Sequence, residues 1–247
     1  MRLNVVPVAS ARLAASLLLL SAAPALAGDA AQFDPIGFSK DGRYFAYEEY
    51  GIQDGSGFPY ANVYLVDLIA DKWVGRPVRV RLDDETVGLP AARRQALAQA
   101  STMLEDAVLD TPAQTLLLNA DGEIESNRTQ VTAGMFGNGL DAPRNPFVLT
   151  LTTFDSTSTE PCADYGMAQP VQGFTLSYTD EGGNSAEIYR DQSVPASRGC
   201  VSDYRIHAVL SPFPAGLTAS PMVAVVSVYS LGFEGPDRRF VTVPITP

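Results

Sequence analysis

Basic chemistry is scarce in this 247-residue sequence, which has one histidine, His207, and two lysines, Lys40 and Lys72, so that arginine supplies nearly all the positive charge. Acidic residues outnumber basic ones 28 to 17, a formal net charge of −11. Binding to a phosphate backbone relies on Lys and Arg neutralising it, so nucleic acid is disfavoured as a partner, and anionic lipid with it. One histidine rules out multi-histidine zinc sites and leaves a single candidate base for a serine or cysteine triad. The Gly-x-Ser-x-Gly elbow is missing. The glycine-rich stretch from Gly51 to Gly57 lacks the Gly-Lys-Ser/Thr ending of a phosphate-binding loop, and no segment has the spacing of a calcium loop. On these grounds no catalytic residue, metal ligand or cofactor is assigned.

Cysteine is almost as rare, with only Cys162 and Cys200. Their meaning depends on the compartment, and the first 27 residues address that. Arg2 and Arg12 are the only charges there, Leu13 to Leu26 is nearly all apolar, and Ala25-Leu26-Ala27 places small residues at −3 and −1. This is the layout of a cleavable secretory signal peptide. The apolar run is short for a membrane anchor, which takes roughly 20 residues, and no later segment qualifies. Residues 1–27 are therefore read as a leader, and 28–247 as a single periplasmic or secreted domain with no membrane span. In an oxidising compartment two cysteines favour pairing. The ring from 162 to 200 would be worth about 4 kcal/mol on the chain-entropy model. A reactive pair would instead be spaced Cys-x-x-Cys.

From Arg43 onward, short aromatic and β-branched segments alternate with Gly, Pro, Asp, Asn and Ser. Candidate strands are Arg43–Tyr50, Asn62–Ile69, Val74–Arg81, Thr115–Leu118, Phe147–Phe154, Gly173–Tyr178, Ala186–Tyr189, Asp203–Leu210, Met222–Leu231 and Arg239–Val243. One segment, Pro90 to Asp110, breaks this rhythm. It opens on proline, accepted at a helix start, and repeats Leu97, Ala100, Leu104, Ala107 and Val108 at helical spacing. The expectation is a mostly-β, α+β protein of antiparallel sheets with one packed amphipathic helix, a sandwich or a partial propeller. Asp141 to Pro146 is the candidate internal boundary.

Phe38-Ser39-Lys40-Asp41-Gly42, the strand to Tyr47 and then Asn62-Val63-Tyr64-Leu65-Val66-Asp67-Leu68 together resemble a blade segment of the WD40-like repeats in TolB-type β-propellers. The resemblance covers residues 38–68 and implies a strand–turn–strand unit, with Asp-Gly suited to the tight turn. Taken whole, the leader, this hairpin, the central helix and the late cysteine pair resemble a proteobacterial family of predicted secreted proteins. That resemblance implies a periplasmic address and brings no catalytic residues.

Three groups remain as site candidates. His207 reads as a surface or satisfied sheet histidine; strict alternation puts it with Arg205 and Val209, opposite Tyr204, Ile206 and Ala208. Among carboxylates, Glu48 and Glu49 are adjacent on a strand and point to opposite faces, so they are no facing pair, and Asp83-Asp84-Glu85 reads as a solvated turn before the helix. Tyr44, Tyr47, Tyr50, Tyr60 and Tyr64 crowd one hairpin, where tyrosine suits either a β core or a recognition surface. Tyr50, Asp54 and Tyr60, at the ends of and within the long Gly51–Tyr60 connection, are the binding candidates, the two tyrosines expected to be exposed. The function expected is a non-enzymatic binding or accessory module acting on an envelope protein or glycan. The alternative is a carboxylate-dependent hydrolase of envelope polysaccharide.

Overall fold

The computed structural model describes residues 28–124, 126–135, 140–167, 169–215 and 221–246; the expected leader lies outside them. In chain order the elements are β1 (Gln32–Phe38), β2 (Tyr44–Ile52), β3 (Pro59–Asp67), β4 (Lys72–Trp73), β5 (Val78–Arg81), α1 (Leu89–Asp106), β6 (Ala113–Leu118), β7 (Gln130–Met135), β8 (Arg144–Asp155), β9 (Gln172–Thr179), β10 (Ser185–Arg190), β11 (Val201–Pro212), β12 (Met222–Ser230) and β13 (Asp237–Ile245). The first sheet runs β1-β2-β3, with β4 and β5 sharing the far edge of β3; the middle sheet runs β13-β12-β11-β6; the last runs β10-β9-β8-β7. Their strand pairs are antiparallel, and no sheet closes into a barrel.

The order of the layers follows from β12. Met222 to Val228 is buried without interruption, the pattern of a strand covered on both faces. Val223 and Val225 pack with Phe38, Phe45 and Tyr47 of the first sheet. Ala224, Val226 and Val228 pack with Phe147, Leu149 and Phe174 of the last. The far side of the first sheet is covered by α1. The layers are thus helix, first sheet, middle sheet and last sheet.

Of the expected helical stripe, Ala100, Leu104 and Ala107 face the sheet, and Leu97 and Val108 do not. Ala92, Ala96 and Ala100 are fully buried against Ala61, Val63 and Val80, with Leu104 partly buried beside them. Leu97 is 37% exposed, and Val108, beyond the helix end at φ 49°, is 60% exposed. Small side chains let the helix approach the sheet closely, and the larger residues are left to the flanks.

Three strands, β1, β4 and β7, lie outside the expected set, and one expected strand is shorter than its pattern. β1 contains Pro35 and Gly37, which normally break a strand, but it is an edge strand with a register shift between them, where both are tolerated. β7 carries Gly134 and few β-formers. The expected Val74–Arg81 strand begins only at Val78: β4 ends at Trp73, and Gly75 takes φ 73° in the stretch between.

The expected alternation around His207 is also corrected. A bulge between Ile206 and Ala208 shifts the phase of β11, because an extra residue faces one partner position. Ile206 and Val209 therefore share the core with the last sheet, whereas Ala208 and Leu210 join the other. The Asp41-Gly42 pair lies in the β1–β2 turn, with Gly42 at φ 69° and the Ser39 hydroxyl donating to Asp41 at 2.6 Å. Arg144, Asn145 and Pro146 begin β8, the return strand of its hairpin with β7. Cys162 and Cys200 are bonded, with Cα atoms 5.5 Å apart, at the rim of the core between middle and last sheets.

Candidate functional site

Alternation along the β2–β3 hairpin sorts its side chains onto two faces. Ala46, Glu48 and Tyr50 turn toward the helix, with Ala61, Val63 and Leu65 beside them. Tyr47 and Glu49 turn the other way, with Tyr60, Asn62, Tyr64 and Val66. On the helix side, Arg93 of α1 donates to Glu48 Oε2 at 2.7 Å and to Asp34 at 2.6 Å, and its guanidinium lies 3.7 Å from the centre of the Tyr50 ring. The Tyr50 hydroxyl donates to Asp34 at 3.2 Å. This cluster ties α1 to the sheet, and it leaves Glu48 Oε1 buried without a hydrogen-bond partner among the described residues.

On the opposite side the sheet forms one wall of a cleft of about 830 Å³. Tyr60, Asn62 and Tyr64 of β3, Arg79 and Arg81 of β5 and Trp73 of β4 make that wall. The floor is Arg239 to Thr242 of β13, and the far wall is Tyr189 of β10 with the 195–198 turn. The volume is within the roughly 300–1,000 Å³ usual for ligand sites. Trp73, the sole tryptophan of the chain, is 41% exposed at the mouth and lies 5.5 Å from Tyr64 between ring centres. Cross-strand pairing places Arg79 beside Asn62 and Arg81 beside Tyr60, on the cleft face. Lys72 pairs with Asp67, of the opposite parity, so it borders the cleft without facing it.

The floor and far wall are held by charge networks. Glu49 is buried, and both its oxygens are occupied: Asn62 and the Tyr64 hydroxyl donate to Oε1 at 3.1 and 3.3 Å, and the Phe240 amide donates to Oε2 at 2.9 Å. Burial raises its pKa, and Arg239, 3.8 Å away, opposes the rise. Asp29 accepts from the Tyr60 hydroxyl at 2.6 Å and from Arg239 at 2.6 Å. Opposite, Arg198 donates to Asp191 at 2.8 Å and to the Tyr189 hydroxyl at 2.7 Å; burial pushes that phenol up to about 12. These groups are committed to one another. By contrast Arg79 is exposed and, among the described residues, forms no ion pair.

The three residues expected to form one surface are separated. Tyr60 is 5% exposed, a correction to its expected exposure, with its ring under Arg239 and its hydroxyl on Asp29. Tyr50 is half-buried on the other face, beneath Arg93. Asp54 accepts from the Glu234 amide at 3.2 Å in the neighbouring loop. The connection is shorter than expected: Ile52 already pairs with Pro59, and residues 53–58 are closed by bonds between Gln53 and Phe58 and from Gly57 to Gln53.

His207 packs against Phe33 and Phe240, with ring centres 6.1 and 4.9 Å away. Burial first, then Arg238, lowers its pKa to about 4, so it is neutral at pH 7. Arg198, Arg239 and Trp73, which make so much of the cleft, carry no local sequence signal; the scarcity of tryptophan was the single available hint.

Among the described residues no helix is long and apolar enough to cross a membrane, and no cluster of His, Cys, Asp and Glu could hold a metal ion. No curated protein and no solved structure matches the chain. A family model described as predicted secreted protein (DUF2259) matches residues 46–246, from Ala46 in β2 through the whole of β13, and the chain belongs to that secreted family.

Proposed function

We propose that this chain is an exported, non-enzymatic binding module whose site is the cleft between the first sheet, β13 and the 195–198 turn. The observation that carries this reading is the convergence of Arg79, Arg81, Arg198 and Arg239 with Tyr60, Tyr64, Tyr189 and Trp73 on one concavity of an acidic protein. Tyr60 takes part as a wall of that cleft, whereas Tyr50 and Asp54 serve the fold. Glu49 supports binding over hydrolysis, because a carboxylate accepting from Asn62, Tyr64 and Phe240 is held as a fixed acceptor. Residues 28–246 act as one unit of sandwich type, since the middle sheet shares a core with each neighbour.

Export is supported by the layout of residues 1–27 and by the role of Asp29. Its carboxylate holds Tyr60 and Arg239 of the cleft, and its carbonyl accepts from Arg238, so processing beyond it would remove a structural partner. Mass spectrometry of the exported protein should give a terminus at Gly28, within a residue or two; an intact Met1 would refute the export route. Binding is tested by thermal unfolding with soluble envelope fractions, since a ligand at a hundredfold excess over its Kd adds about 2.7 kcal/mol. Failure of every fraction to raise the Tm would refute the binding reading.

A further inference from the structure

Resting on the cleft as the binding site, the chemistry of its lining selects a class of ligand. We propose that the cleft takes a saccharide chain bearing isolated carboxylates, one of them held by Arg79 while a sugar ring stacks on Trp73. An exposed guanidinium without a partner is a ready fork for a carboxylate, which it meets through two parallel hydrogen bonds. Trp73 stands on the same wall, opposite Val66 where Arg79 is opposite Asn62, as an exposed flat surface backed by Tyr64, and the C–H face of a pyranose suits such a surface. Asn62, Gln53, Ser197 and Thr242 complete the lining with groups that exchange hydrogen bonds with hydroxyls.

Charge density narrows the class further. Glu49 and Asp71 line the same cleft as the arginines. A densely charged anion would be repelled by them, whereas a polyol with spaced carboxylates offers hydroxyl donors to Asp71 and an acceptor to Arg79. An acidic peptide adding as a strand is disfavoured by β13, the sheet edge that floors the cleft. Its outward backbone positions are Arg238, Phe240, Thr242 and Pro244. The Arg238 amide donates to Asp29, the Phe240 amide to Glu49, and Pro244 has no N–H. Strand addition needs a row of free donors and acceptors, and this edge does not offer one.

Trp73 is the only tryptophan, so protein fluorescence excited at the indole reports on the mouth of the cleft alone. The experiment titrates the exported protein with trigalacturonate, maltotriose and a short oligoglutamate, and repeats each titration on Arg79→Gln. The side chain of Arg79 is exposed, so the variant should keep the wild-type circular dichroism and Tm. The expected result is a fluorescence change with trigalacturonate, weakened at least tenfold by Arg79→Gln and by added salt, with little response to the other two. Equal binding of maltotriose by both proteins would overturn the acidic class and leave the cleft standing as a site. Preferential binding of oligoglutamate would overturn the saccharide in favour of a peptide, again leaving the cleft. No response to trigalacturonate overturns the proposal, while the binding reading itself is judged by the envelope fractions.

Discussion

Removing the Cys162–Cys200 bond should cost this protein a sizeable part of its stability. The bridge closes a segment of sequence separation 38 that contains β9 and β10. Fixing the ends of such a loop removes about 13 cal/mol/K from the unfolded chain, or about 4 kcal/mol at 25 °C. For a chain of this size each kcal/mol moves the Tm by roughly 2–4 °C, so a Cys162→Ala, Cys200→Ala double variant should melt roughly 8–16 °C lower. Both cysteines are buried in the core between the middle and last sheets, and alanine leaves a small void without burying a new polar group. The assay is thermal unfolding by circular dichroism, alongside alkylation with and without reductant. Wild-type protein should resist alkylation until reduced. A double variant that melts within about 2 °C of wild type would refute the loop-closure reasoning, since the bridge would then constrain nothing that the strand ladders do not.

Two further outcomes test how the layers pack. Ala96→Leu should destabilise by about 1–3 kcal/mol through overpacking, whereas Leu97→Ala should stay within about 1 kcal/mol; equal effects in chemical denaturation would contradict the alanine face of α1. His207, as the single histidine, gives one imidazole signal, and NMR titration should find its pKa near about 4. Because that lies below the unfolded value of 6.5, its contribution is full above pH 6.5 and falls by up to about 3 kcal/mol as pH drops toward about 4; an imidazole titrating at its free value would mean that Phe33 and Phe240 do not enclose it.

What could be read from the sequence, and what could not, divides along the line between local pattern and strand register. The β-branched run from Met222 reads as a strand, and two cysteines in an exported chain read as a pair, as Cys162 and Cys200 are. The two tyrosines at the β2–β3 connection looked like one surface because they flank a flexible-looking stretch. Register decides otherwise: Tyr50 pairs with Ala61 and Gly51 with Tyr60, so the two rings leave opposite faces, and no composition signal reports that parity. The helix shows the same limit: the spacing marks Ala100, Leu104 and Ala107, which do face the sheet, but close approach brings in Ala92 and Ala96 in place of Leu97 and Val108. The cleft was further out of reach. Tyr60 and Arg239 meet across most of the chain, and Arg198 arrives from the turn between β10 and β11, so its members share no neighbourhood in sequence.

The measurement that bears most directly on the cleft as the binding site is amide hydrogen exchange with a stabilising envelope fraction bound. Protection should rise in Tyr60–Val66, Val78–Arg81, Pro195–Arg198 and Arg239–Thr242, the segments that wall the cleft. Protection confined to α1, the 53–58 connection or the β7–β8 hairpin, with those segments unchanged, would put the site elsewhere and contradict the account.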